Sequence, residues 1–396
     1  MTRVTTKRLG DILNFKRGYD LPSYLRKEGP YPIISSGGIS GYHNEYKVEG
    51  EGLVTGRYGT LGQVYYLDEK YWPHNTALYV TDFKGNYPKY VYFLMQCLGN
   101  VATSDKSAVP GVNRNELHEL QVPYLNFKNQ KLSADLLFDL ESKIALNNRI
   151  NTELEGMAKL LYDYWFVQFD FPNEEGQPYK SSGGKMVYNE RLKREIPVGW
   201  EVFKLEDLGT FKNGINYDPS EEGDTKARII NVRNVSSSSI FIANEDLDEI
   251  WLRGANVEKY LVDESTILIT RSGTPGATRL IADYQENTIY CGFIICFKAF
   301  DFDQKNVIFY HLKNVEKLMS TQSGGTIMKN VSQGTLKDIK VVLPQKDQMR
   351  IVRNFNQVLN PIFKKINQIQ QENQHLTSLR DWLLPMLING QVRVGE

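Results

Sequence analysis

Apolar residues recur at three- and four-residue steps from about Gln130 to Phe171. Leu137, Leu140, Ile144, Asn147, Asn151, Leu154, Ala158, Leu161 and Trp165 fall on one line of a helix, a seam with two polar members. No Gly precedes Gly156 and no Pro precedes Pro172 in this stretch, so nothing interrupts the pattern. A helix of roughly 38 residues at about 1.5 Å each is about 55 Å long, more than the diameter of a small domain. A narrow seam of that length asks for a partner helix, and the stretch from Gln348 to Leu387 supplies one. There Val358, Ile362, Ile366, Ile369, Asn373, Leu376, Leu379 and Leu383 again step by threes and fours. The two helices are expected to pair, and Asn147, Asn151 and Asn373 to penalise slipped registers at a cost in stability.

The remainder follows a different period. Short β-rich runs such as GLVTGRYG, QVYYL, TALYVTDF, STILITRSG and IICFKAF are punctuated by Gly and Pro within 1–128 and 201–345. These parts read as α+β globular domains with a substantial antiparallel sheet. The long helices occupy 129–172 and 346–396. Between them 173–200 is rich in Gly, Ser and charge and is bounded by Pro172 and Pro197, the composition of a linker.

The chain also repeats itself. RLGDILNFKRG (Arg8 to Gly18) parallels KLEDLGTFKNG (Lys204 to Gly214), with Leu9, Asp11, Phe15, Lys16 and Gly18 recurring as Leu205, Asp207, Phe211, Lys212 and Gly214. LVTGRYGTLGQV parallels ILITRSGTPGAT, matching Arg57, Gly59, Thr60 and Gly62 to Arg271, Gly273, Thr274 and Gly276. VNRNELHEL (Val112 to Leu120) parallels VSQGTLKDI (Val331 to Ile339), and a long helix follows each copy. The spacing between matched residues grows along the chain, which predicts an insertion in the second copy. One unit is written twice, an internal pseudo-two-fold repeat.

Composition narrows the chemistry. With 41% hydrophobic and 12% aromatic residues, the 396-residue chain can form real cores. Lys plus Arg and Asp plus Glu both number 47, so any basic surface must be local. Cys97, Cys291 and Cys296 lack metal or redox spacing and read as core thiols of a reducing, cytoplasmic interior. No window resembles a membrane span. His43, His74, His118, His311 and His375 show no metal-ligand spacing. The chain has no Asn/Asp-Pro-Pro-aromatic loop or Gly-rich cofactor loop for methyl transfer. Gly183-Gly184-Lys185 is followed by Met186 and lacks the upstream Gly of a phosphate-cradling loop. The nearest nuclease-like pair, Glu141 and Lys143, reads as a solvated helix edge.

The run YDYWFVQFDFPNEEGQPYKSSGGKMVYNERLKREIPVGWEVFKLEDL resembles the central conserved region of specificity subunits of type I restriction-modification enzymes. VVLPQKDQMRI before the last helix and the two RxGTxG runs are similar to that family as well, and the likeness extends over essentially the whole chain. It implies two β-rich target-recognition domains separated by two long antiparallel coiled-coil helices, each domain reading half of a bipartite sequence in double-stranded DNA. It further implies docking of two methylation subunits, and restriction/translocation subunits as further partners. S-adenosylmethionine, ATP and Mg are then expected on those partners, with no cofactor, metal or catalytic residue in this chain.

Base edges in the major groove call for Arg or Lys against guanine and Asn or Gln against adenine, while phosphates take basic, hydroxyl and backbone donors. The loops best stocked carry Arg57, Tyr58, Lys106, Ser107, Asn113 and Arg114 in the first copy, and Arg271, Ser272, Thr274, Lys329, Asn330 and Gln333 in the second. Arg57 and Arg271 recur in both copies and cannot by themselves tell two half-sites apart, so phosphate contact or fold support is expected of them ahead of base readout. The loop from Ser104 to Asn115 and its counterpart from Gln322 to Gln333 differ more. The cluster Tyr162, Tyr164, Trp165, Phe166, Phe169 and Phe171 is expected to form a hydrophobic junction or a docking surface rather than a base-stacking platform. Two other classes of function stay open on sequence alone: a coiled-coil scaffold without DNA readout, and an enzyme without a recognised motif.

Overall fold

The computed structural model describes residues 5–56, 63–102, 114–218, 223–253, 257–282, 284–321 and 330–395. It divides into two compact units, 1–147 with 372–396, and 148–371.

The first unit opens with β1 (Thr5–Arg8), β2 (Asn14–Arg17), β3 (Tyr31–Ser35), β4 (Gly38–His43) and β5 (Gly52–Gly56). It continues through β6 (Val64–Leu67), β7 (Trp72–Pro73), β8 (Ala77–Asp82), helices α1 (Pro88–Ala102) and α2 (Arg114–Glu119), β9 (Gln121–Tyr124) and the start of α3 (Phe127–Tyr162). Its strands make an antiparallel sheet in the order β2-β8-β5-β6, a second sheet β4-β3-β7 and a β1-β9 ribbon. Leu9, Phe15, Leu53, Tyr90 and Phe93 fill the core together with Leu137 of α3 and Leu387 near the chain's end.

The second unit adds the hairpin β10 (Met186–Asn189) and β11 (Arg194–Pro197), then β12 (Trp200–Lys204), α4 (Leu205–Leu208), β13 (Gly209–Asn213) and β14 (Thr225–Ile230). There follow α5 (Val232–Ser237), β15 (Phe241–Ile242), β16 (Asp248–Leu252), β17 (Thr266–Thr270), β18 (Thr278–Ile281), β19 (Thr288–Tyr290) and β20 (Ile294–Ala299). It closes with α6 (Lys305–Thr321), α7 (Gln333–Lys337), β21 (Lys340–Pro344) and most of α8 (Arg350–Ile388). The topology of the first unit returns strand for strand: β13-β20-β17-β18 with β15 added, β16-β14-β19, and a β12-β21 ribbon. The insertion lies where β3 and β4 are joined by a tight turn and β14 and β16 are not, and it consists of α5 and β15. The α+β class and the duplication both hold, with three parallel pairings, β3-β7, β14-β19 and β15-β18, among the antiparallel ones.

The seams of α3 and α8 meet antiparallel inside each unit. In the first, Glu141 approaches Arg380 (3.7 Å), and Asn147 Nδ2 donates to Asn373 Oδ1 and Glu372 Oε2, each at 2.9 Å. In the second, Ala158 and Trp165 share a core with Val352, Phe355, Leu359 and Ile366, and Asn151 Nδ2 donates to the Ile366 carbonyl at 3.4 Å. Two expected seam members are corrected: Val358 is 49% exposed and Leu379 is 42% exposed. The line runs instead through Val352, Phe355, Leu359 and Phe363, because the large rings next to Val358 take the buried face. Glu141 is also not a solvated edge. Only 20% of its side chain is exposed, it accepts from the Tyr92 hydroxyl at 3.2 Å, and burial raises its pKa. The stability cost expected of Asn147 is offset by its two bonds across the seam: replacing Asn147 alone with Leu should lower stability by about 1–3 kcal/mol, since it takes a donor from Asn373 and Glu372. Urea midpoints should show the loss reduced when Asn373→Leu is added.

The aromatic run that ends α3 becomes the junction of the second unit. After Tyr162 the helix widens into a π turn over Asp163–Val167. Phe166, Phe169 and Phe171 then surround Trp200, with centroids at 5.7, 5.5 and 5.2 Å. These rings and Trp165 are buried, so they cannot serve as a docking surface. Tyr164 stays partly exposed. The stretch read as a linker folds onto this junction as well: β10 and β11 pair in register from Met186–Pro197 to Asn189–Arg194, and Tyr179 stacks on Phe171 at 4.7 Å. The His311 ring nitrogen lies 3.3 Å from the Tyr162 hydroxyl, and burial pushes its pKa down to about 4. The unfolded chain protonates this imidazole near pH 6.5 and the folded chain does not, so stability should fall as pH drops from about 6.5 toward 4, by no more than about 1.4 kcal/mol per pH unit. The acid slope of the melting temperature should flatten in His311→Gln.

Candidate nucleic-acid interface

In the second unit the sheet hands its chain to the surface through a tight loop after β17. Gly273 (φ +79°) and Gly276 (φ +86°) adopt the left-handed conformation that side chains resist, which explains why the RxGTxG pattern needs glycine there. Gly276 N–H donates to the Thr270 carbonyl at 2.8 Å, and the Thr274 hydroxyl lies 2.5 Å from Ser236 Oγ. Arg271 is half-buried. Its guanidinium donates to the Gly292 carbonyl at 3.3 Å, its N–H to Phe293 O and its carbonyl accepts from Val331 N–H, both at 2.8 Å. Arg271 therefore ties the loop to the turn before β20 and to the segment entering α7, a fold-supporting geometry. Beside it, Gln333 Nε2 donates to Asn213 Oδ1 at 2.9 Å. Thr274 and Asn330 are exposed and Ser272 is half-buried.

The first unit builds the corresponding surface with more charge. At the end of β2, Arg17 Nε donates to the Asn75 carbonyl at 3.1 Å, and Asn75 Nδ2 donates to Asp20 at 2.5 Å. Lys47 sits over the Trp72 ring at 4.7 Å and Lys16 reaches the Tyr19 hydroxyl at 3.4 Å. The hydrogen bond from Tyr79 holds the Tyr19 phenol below its ordinary range. On α2, burial lowers the pKa of His118, and the charges of Arg114, Lys84 and Arg8 push the same way. Glu116 and Glu119 lie on the same helix and Arg8 pairs with Glu119 at 2.5 Å, so the charge around α2 is mixed, and His118 stays an acceptor for the Phe15 N–H at 3.2 Å.

Of the candidates read from sequence, Arg114, Arg271, Ser272, Thr274, Asn330 and Gln333 are placed by the structure, and it brings Arg271, Thr274 and Gln333 onto the same loop-and-helix surface. Arg57, Tyr58, Lys106, Ser107, Asn113 and Lys329 lie outside the described residues. Arg17 and Asn213 were missed. Their signal was present in FKRG and FKNG, where they are the differing residue between identical neighbours. Also missed was an apolar stripe on the far side of α3 and its π turn in the second unit. Ile150, Met157, Leu160, Tyr164 and Val167 are 37–65% exposed, although the opposite face of the same helix is core. Among the described residues there is no cluster of His, Cys, Asp or Glu able to hold a metal, and no helix long and apolar enough to cross a membrane.

The fold defines a class: a duplicated α+β framework, each copy followed by a long helix. A family model described as the type I restriction modification DNA specificity domain matches residues 1–156 and 197–373, more than half of the chain, and the chain belongs to that family. It is 25% identical over 297 residues to the MjaIX specificity subunit of Methanocaldococcus jannaschii, covering 74% of this chain and 65% of that protein. It is 23% identical over 348 residues to the HindI specificity subunit of Haemophilus influenzae, covering 74% of this chain and 73% of that one. The chain therefore aligns with slightly under two thirds of the M. jannaschii protein. The crystal structure of a type I restriction-modification S subunit from M. genitalium superposes over 98% of this chain and 97% of its own length, with a TM-score of 0.63 and 17% identity, a likeness of fold.

Proposed function

We propose that this chain is the sequence-reading, non-catalytic subunit of a type I restriction-modification system, each unit reading one half of a bipartite duplex target. The observation that carries the reading is the duplication: one framework built twice, with the same turn glycines, and with different polar side chains at equivalent surface positions. A repeated scaffold with unrepeated contact residues is what two unlike half-sites require. Residues 1–128 and 201–345 act as the recognition domains, and each is followed along the chain by a long helix, within 129–172 and 346–396. A coiled-coil scaffold without readout leaves the two β-rich domains and the family membership unexplained.

Methyl transfer from S-adenosylmethionine, ATP-driven translocation and Mg-dependent cleavage belong to partners, namely two methylation subunits and the restriction/translocation subunits. The Ile150, Met157, Leu160, Tyr164 and Val167 stripe is an apolar face of the kind that partner helices cover, and it replaces the buried aromatic cluster as the docking surface for a methylation subunit. The complex works where the DNA is, in the cytoplasm. The test is selection of a randomised duplex pool on the full chain with its cognate methylation subunit. Enrichment of two short defined stretches separated by a fixed gap is expected, and a pool with no enriched sequence would favour the scaffold.

A further inference from the structure

The two units can be superimposed residue by residue through their backbone bonds. Leu9 N–H to Leu120 O (2.8 Å) corresponds to Leu205 N–H to Ile339 O (3.0 Å), Gly18 N–H to Ala77 O (3.1 Å) to Gly214 N–H to Ile294 O (3.1 Å), and Tyr19 N–H to Pro73 O (2.8 Å) to Ile215 N–H to Tyr290 O (3.0 Å). An added Cβ at Gly18 would strike the carbonyl oxygens of Pro73 and His74, and at Gly214 those of Tyr290 and Cys291, so both turns are held in the same place. Two surface positions are fixed by this frame. The last residue of β2 and β13, before the turn glycine, is Arg17 in one unit and Asn213 in the other. The first residue of α2 and α7 is Arg114 in one and Gln333 in the other. The framework repeats and the pair does not: two guanidiniums stand where there are two carboxamides.

In the second unit the pair touches. The bond from Gln333 Nε2 to Asn213 Oδ1 uses one donor and one acceptor and leaves the Asn213 amide donors and the Gln333 carbonyl oxygen for a further partner, with Asn213 exposed and Gln333 half-buried. A donor beside an acceptor matches the major-groove edge of adenine, which presents N7 as acceptor and N6 as donor. In the first unit the pair is donor-only. Arg17 uses Nε on the Asn75 carbonyl, its two terminal nitrogens remain, and Arg114 is exposed at the start of α2. A donor-only pair matches guanine, whose O6 and N7 are both acceptors.

We infer that these paired framework positions are base readers, Arg17 and Arg114 for guanine in the first half-site and Asn213 with Gln333 for adenine in the second. This rests on the DNA-reading function proposed above and assigns its specificity to four named side chains. Arg271, tied to the framework by backbone and side-chain bonds, is left to support.

The experiment exchanges the pairs in the full chain. Asn213→Arg with Gln333→Arg, and separately Arg17→Asn with Arg114→Gln, are compared with the unaltered chain by sequencing what each enriches, together with the cognate methylation subunit, from a randomised duplex pool. All four positions are at the surface, and circular dichroism melting checks that each variant folds. The first exchange should convert adenine to guanine at one or two positions of one half-site and leave the other half-site intact, and the second should do the reverse in the other half-site. Each position should change discrimination on the order of tenfold to a hundredfold. Folded variants that enrich the parental sequence, or Arg17 and Arg114 changes that weaken all duplexes equally, would assign these residues to phosphates or to no contact and overturn the inference while DNA reading stands. An unaltered chain that enriches nothing would remove both.

Discussion

Affinity for duplex DNA is expected to drop by about three to five orders of magnitude between 50 and 200 mM salt if the two domains together meet about six to ten phosphates. The chain carries equal numbers of acidic and basic side chains, 47 of each, so no long-range attraction from net charge contributes. What remains is local: Lys84 near α2, and Lys16 and Lys47 beside the turn after β2. Counterion release from phosphates contacted by such groups gives a log–log slope of about −0.9 per phosphate. Titrations by fluorescence anisotropy at several salt concentrations measure it. Arg57→Ala should reduce the slope by about one, the signature of a lost phosphate contact. Arg114→Ala should leave the slope nearly unchanged and cost discrimination, the signature of a base contact. A salt-independent affinity would leave the basic clusters without a role.

Truncating Phe355 to Ala should cost about 3–5 kcal/mol in the second unit, the largest stability effect expected of a single substitution here. Phe355 is fully buried, sits edge-on to Phe166 at 5.0 Å and tilts against Trp165 at 5.8 Å, so its removal opens a cavity where α3, α8 and the Trp200 strand meet. Val358, less than one turn further along α8, supplies the control. Its side chain is half exposed, and Val358→Ala should stay within about 0.5 kcal/mol of the parent. Chemical denaturation of both variants reads the difference. Similar losses at the two positions would mean that the buried line of α8 passes through Val358.

That contrast shows what sequence can and cannot say about a long helix. The three- and four-residue steps located both helices to within a few residues, since no globular core imitates so long a seam. They could not choose between adjacent lines on α8, because Val358 and Leu379 satisfy the same spacing as Leu359 and Phe363, and only the partner's rings decide. The repeat was legible because glycines and core leucines are held by backbone geometry. The hairpin of 186–197 was not, because its own charged residues and the Gly and Ser that precede it read as a linker, while the order of the segment comes from packing Ile196 and Tyr179 on distant aromatics. For the site, base chemistry singled out residue types within loops. Arg17 and Asn213 escaped because each ends a strand, and their place beside α2 and α7 is a property of the fold.

The most direct measurement of bipartite reading is a map of methylated bases in DNA modified by the complex of this chain with its cognate methylation subunit. Two unlike half-sites separated by a gap of constant length and free composition are expected, with Asn213→Arg/Gln333→Arg altering one half and sparing the other. A contiguous motif, or an undivided motif in which both parts change together, would contradict the assignment of one half-site to each unit.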